Sequence, residues 1–126
     1  MKIIKICGRR ATGKTHKAFE LALKNEGKNI VYICANTYHL KAIVPVYKSL
    51  SPHVMFMTYE DIILLLLKQR TLYAFKNSVV IYELSESDEM LKNHDILLNF
   101  FNNEGVSEMI FTKKTDGPLE WKIIEN

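Results

Sequence analysis

A chain of 126 residues, 48% hydrophobic and 25% charged, has the size of one compact domain and lacks the low hydrophobicity that keeps a polymer disordered. Its net charge of +3 permits an acidic partner such as a nucleotide or nucleic acid without demanding one. Cys7 and Cys34 have neither CxxC spacing nor histidine partners nearby, which excludes a disulfide framework and suggests reduced thiols in a cytoplasmic protein, while the apolar runs 2–7 and 62–67 are too short to be a signal sequence or to cross a membrane.

Residues 2–7 read as a first strand, followed at once by a glycine-bounded loop. A helix is expected over 14–26, with Ala18, Leu21 and Ala22 on one face and Gly27 as its stop. The β-rich run 29–34 is a second strand. Asn36 or Thr37 can cap a second helix reaching about Ser49, and Pro45 within it predicts a kink or a split. After a short third strand at 54–57, Thr58-Tyr59-Glu60-Asp61 has the form of a capping box and leads into a helix ending near Arg70. Residues 78–82 are apolar throughout, as in a parallel strand covered on both faces. Ser85-Glu86-Ser87-Asp88 resembles another helix start. Met90, Leu91, Leu97, Leu98 and Phe101 form its stripe, and Gly105 can end it. Residues 107–112 are a fifth strand and 119–124 a sixth. The turn Thr115-Asp116-Gly117-Pro118 between them is too short for a parallel crossover, so these two can pair only as an antiparallel hairpin, if they pair at all. Strand and helix alternate about four times. The expectation is a single α/β domain over 1–126, with about five mainly parallel strands, helices on both faces, an antiparallel strand at the end, and ligands at the C-terminal strand ends.

The run Gly8-Arg9-Arg10-Ala11-Thr12-Gly13-Lys14-Thr15 fits the phosphate-binding pattern G-x-x-x-x-G-K-[ST]. A chance match in a chain of this length arises roughly once in two hundred. Such a loop turns its backbone N–H groups inward as a nest for phosphate oxygens, and Gly8 and Gly13 allow the tight backbone this needs. The helix beginning near Lys14 aims free N–H groups at the same point. Lys14 adds a charge at the β/γ position, and the Thr15 hydroxyl is suited to ligate Mg²⁺. The bland alternative is a glycine-rich turn that binds nothing.

A Mg-nucleotide site also needs an acid at the end of a second buried strand, and Glu83 occupies that place. Val79-Val80-Ile81-Tyr82-Glu83 resembles a Walker B element, with Tyr82 where the Asp of an Asp-Glu pair would stand. Glu83 therefore replaces the metal-side Asp, or is the water-orienting Glu of a pair that lost its Asp, or is only a strand-end carboxylate.

With these stations the chain resembles the P-loop NTPases, and within them the RecA-like cores of helicases and viral DNA-packaging ATPases. The resemblance implies a three-layer α/β/α fold, ATP and Mg²⁺ as cofactors, a small polar stretch at Ala35-Asn36-Thr37, and Thr112 as a sensor of the γ-phosphate. It implies Arg9 or Arg10 as a basic sensor within the loop. A further implication is a nucleic-acid partner, with self-assembly or a separate subunit supplying the grip that 126 residues have no room for. Arg70 could serve as a finger to a neighbouring subunit, although a helix-end charge explains it as well. Lys113 and Lys114 could approach phosphate or simply solvate a strand end. Tyr38, Tyr47, Tyr59 and Tyr73 could stack bases or pack. His16, His39, His53 and His94 are too dispersed for a metal set.

Three functions follow: an ATPase coupled to nucleic-acid remodelling or packaging, a small nucleotide or nucleoside kinase, and a module that holds nucleotide and barely hydrolyses it. Arginine scarcity weighs against the kinase, since none follows Arg70. Strand order separates the first two. A helicase-like core inserts the sensor strand between the loop strand and the Glu83 strand, and that order is the one expected here.

Overall fold

The computed structural model describes residues 1–50, 53–83 and 92–125. In chain order the elements are β1 (Lys2–Gly8), α1 (Lys14–Leu23), β2 (Ile30–Cys34), α2 (Thr37–Tyr47), β3 (Val54–Thr58), α3 (Tyr59–Leu67), β4 (Val79–Glu83), α4 (His94–Asn103), β5 (Glu108–Lys114) and β6 (Glu120–Glu125). The strands form one sheet in the order β3-β2-β4-β5-β1-β6. Its first five strands are parallel, and β6 runs antiparallel to β1. The expected insertion is present, because β5 lies between β1 and β4. The last two strands do not form a hairpin. Both edges of β5 are already hydrogen-bonded to neighbours, so the chain passes over the end of β1 and pairs β6 with that strand's free edge.

Side chains alternate across the strands and fill a core on each face. Ile4, Ile6, Ile30, Tyr32, Val79, Ile81 and Ile110 pack with Ala18, Phe19, Leu21 and Ala22 of α1 and Tyr47 of α2. Val31, Ile33, Val80, Tyr82, Met109 and Phe111 pack with Ile62 of α3 and with Leu97 and Phe101 of α4. Phe19 stacks on Tyr47 with centroids 4.1 Å apart and rings nearly coplanar, tying α1 to α2.

Helix ends depart from the sequence expectations by local chemistry. α1 stops at Leu23, three residues early, where Lys24 and Asn25 bond back to Leu21 and Ala22 before Gly27 turns at φ +76°. Pro45 does not split α2; the chain stays helical to Tyr47 and then tightens into a 3-10 turn, Lys48–Leu50. α3 ends at Leu67, short of Arg70, because Gln69 takes φ +50° and the Gln69 and Arg70 N–H groups close onto Leu66 and Leu65. The expected helix start at Ser85-Glu86-Ser87-Asp88, with Met90 and Leu91, lies outside the described residues.

Candidate functional site

The loop between β1 and α1 is shaped by its glycines and braced by its own side chains. Gly13 sits at φ +88° and Ala11 at φ +63°, so the backbone reverses twice in three residues. The Arg9 carbonyl accepts from the Thr12 hydroxyl at 2.7 Å and from the Lys14 ammonium at 3.0 Å, which holds the loop closed on itself. A second brace comes from the turn before β6: the Arg9 N–H donates to the Gly117 carbonyl, and the Thr115 N–H to that of Gly8. The start of α1 is left open. It has no side-chain cap and no acidic residue in its first turn; α4 also lacks a side-chain cap but carries Asp95 in its first turn, and α2 and α3 are capped by Asn36 and Thr58. Uncapped N–H groups at a helix start can receive an anion.

The sheet brings the acid to this point. Thr15, in the first turn of α1, donates its hydroxyl hydrogen bond to Oε1 of Glu83 at the end of β4. Strand alternation explains why Glu83 and not Tyr82 is the residue that arrives. Val79 and Ile81 face the α1 side, so Glu83 does too, and Tyr82 is buried on the other side against His94 and Phe101. Thr112 stands opposite Glu83 on one side and Ile6 on the other, buried on the same face as Ile110. Loop, hydroxyl, carboxylate and Thr112 thus converge at the C-terminal ends of β1, β5 and β4. No protein-family model, curated protein or solved structure matches the chain.

The hydroxyl and carboxylate together form the oxygen pair that a hard cation such as Mg²⁺ accepts. Among the described residues no group of three His, Cys, Asp or Glu side chains could hold a metal. A cation here would take its remaining ligands from water and phosphate, as Mg²⁺ commonly does. Beneath the carboxylate, Tyr32 is fully buried with its hydroxyl close to Glu83. Burial first, then the nearby Glu83 charge, pushes its phenol well above the ordinary range. The Cys34 thiol is pushed up to about 11, again by burial first. Both groups stay neutral beneath the site, and sequence reading passed over Tyr32 because a tyrosine inside a β-rich run carries no signal beyond packing.

The remaining residues divide by position. Arg9 and Arg10 are exposed on the loop, and Lys113 and Lys114 are exposed on β5 opposite Cys7 and Gly8. Arg70 follows α3, whose C-terminus lies at the end of the sheet away from the loop, so within one chain it does not join the site. Tyr47 and Tyr59 are packing residues, the latter accepting a hydrogen bond from Asn93, whereas Tyr38 and Tyr73 are exposed. Among the described residues no helix is long and apolar enough to cross a membrane.

Proposed function

We propose that the chain is a P-loop nucleoside-triphosphate-binding domain of three-layer α/β/α form that acts as a Mg²⁺-dependent ATPase. One observation carries this reading: the hydroxyl that follows the loop lysine meets the carboxylate at the end of β4, across an inserted strand bearing Thr112. The loop N–H groups and the start of α1 bind the phosphates, and Lys14 leaves the Arg9 carbonyl to neutralise the β/γ oxygens. Mg²⁺, when bound, supplies further neutralisation of the charge that develops on the transferring phosphoryl group. Glu83 stands at the hydroxyl itself, which favours the metal-side assignment over that of an acid placed solely to orient water. Thr112, beside it, is suited to register loss of the γ-phosphate, and Arg9 or Arg10 to reach it from the loop.

The inserted strand order favours a hydrolase core, coupled to nucleic-acid remodelling or packaging, over a small kinase. With Tyr82 in the opposite core, Glu83 is the single acid at this strand end among the described residues. That observation supports a second reading, a nucleotide-holding module with slow turnover.

The test is phosphate release from ATP with Mg²⁺ over a range of protein concentrations, with and without single- and double-stranded DNA. Turnover that rises with concentration or DNA supports an assembled motor; MgATP binding without turnover supports the holding module. Lys14→Ala should abolish tight nucleotide binding. Glu83→Gln should keep binding and lose hydrolysis by tenfold or more, a range consistent with loss of one electrostatic or acid–base contribution. Wild-type turnover in Glu83→Gln would remove that residue from the mechanism, and wild-type MgATP binding by Lys14→Ala would end the phosphate-loop reading.

A further inference from the structure

The position of Glu83 gives the triphosphate a direction. The carboxylate and Thr112 lie on the β4 and β5 side of β1, so the γ end of a bound nucleotide points that way. The nucleoside must then leave the loop on the other side of β1, where β6 and the turn before it flank it. On β6, Trp121 stands opposite Ile6, two residues before Gly8. Sheet rise and strand spacing put it about 8 Å from Gly8, the reach of a ribose and base. It lies beside α1, with the Lys17 ammonium 5.5 Å from the indole centroid, and the residue still keeps 45% of its surface exposed.

We infer that Trp121 is the stacking surface for the base of the bound nucleotide, held in place by Lys17 and by the braces between the β6 turn and the phosphate loop. The inference rests on the phosphate-loop reading and adds the element that reads the nucleoside. An exposed tryptophan on an edge strand is otherwise an aggregation liability that proteins tend to cover. Here it is fixed instead. The Arg9–Gly117 and Thr115–Gly8 backbone hydrogen bonds lock the β6 turn to the loop, and the Leu119 Cα comes within 3.3 Å of the place where a Gly8 Cβ would stand. Lys17 contributes a cation over the ring and is itself held by Glu20 at 3.3 Å. Ring and phosphate nest therefore keep a constant separation, which a bidentate hold on phosphate and base requires. The indole accepts any flat heteroaromatic face.

Because Trp121 is the only tryptophan in the chain, tryptophan emission reports on the surroundings of this one residue. The experiment titrates wild-type protein with ATP and, separately, with inorganic tripolyphosphate, each with Mg²⁺, following both emission and heat of binding. ATP should quench Trp121 and tripolyphosphate should bind without doing so. Trp121→Ala should weaken ATP by about tenfold, the scale of a lost base–aromatic stack, and leave tripolyphosphate affinity unchanged. Trp121→Phe should restore most of the ATP affinity. If ATP binds with unaltered emission and Trp121→Ala binds it as tightly as wild type, the stacking role is overturned and the phosphate site stands. If neither ATP nor tripolyphosphate binds, both fall.

Discussion

At the scale of single residues, the two loop glycines are needed for different reasons, and the difference can be measured. A Cβ on Gly13 meets nothing within 4 Å, so its cost is backbone strain at φ +88°, about 1–2 kcal/mol for a non-glycine residue. A Cβ on Gly8 would come within 2.5 Å of the Thr12 Oγ1, the atom that holds the Arg9 carbonyl. The Gly8→Ala penalty should therefore shrink when Thr12→Ala removes that hydroxyl. A denaturation cycle on Gly8→Ala, Thr12→Ala and the pair should give a coupling of about 0.5 kcal/mol or more, whereas Gly13→Ala with Thr12→Ala should be closer to additive. Additivity in the first cycle would mean that the Leu119 backbone, not Thr12, sets the limit at Gly8. Such reasons lie in what surrounds each glycine. The sequence pattern shows that glycine is wanted at both places, and cannot show that one is a matter of conformation and the other of room.

Among the elements, the helix starts divide by what they do. α3 begins with a reciprocal capping box, in which the Asp61 N–H donates to the Thr58 hydroxyl at 3.2 Å and the Thr58 N–H to the Asp61 carboxylate at 2.9 Å. Thr58→Ala should cost about 1 kcal/mol and lower the thermal midpoint by roughly 4 °C for a domain of this size, with Thr58→Ser close to wild type. An unchanged midpoint for Thr58→Ala would mean that packing of Tyr59 and Ile62 alone holds this turn. α1 has no equivalent, and α4 too starts without a side-chain cap. The capping box, the glycine loop and the alternation of strands and helices were legible in the sequence, since each rests on local chemistry within a few residues. The partner of β6 was not, because it depends on which sheet edge remains after β5 is taken on both sides. Nor was the side to which Tyr82 turns: 79–82 is apolar on both faces, so no alternation marks which of its residues face α1. That hidden alternation conceals which side of the sheet Glu83 faces, and with it the contact to Thr15.

For the molecule as a whole, a sheet with a core on each face puts titratable groups under helices on both sides, and those groups connect stability to pH. His94, at the start of α4, stacks near Tyr82 with centroids 6.2 Å apart and meets Phe111 edge-on at 5.1 Å, and its Nδ1 is buried without a partner among the described residues. Burial, the largest cause, holds its pKa below the ordinary histidine value; Lys113 lowers it further and Asp95 opposes. The unfolded chain therefore takes up this proton more readily than the folded one. Above about pH 6.5 neither state carries it and His94 leaves stability unaffected. As pH falls from there towards the folded-state value, the unfolded chain binds the proton first and stability declines, levelling once both states are protonated. His94→Phe keeps an aromatic ring between Tyr82 and Phe111 and cannot titrate. Between pH 7.5 and 5.5, above the range in which most carboxylates protonate, the wild-type thermal midpoint should drop faster than that of His94→Phe. Parallel curves through that window would show that His94 binds its proton equally in both states.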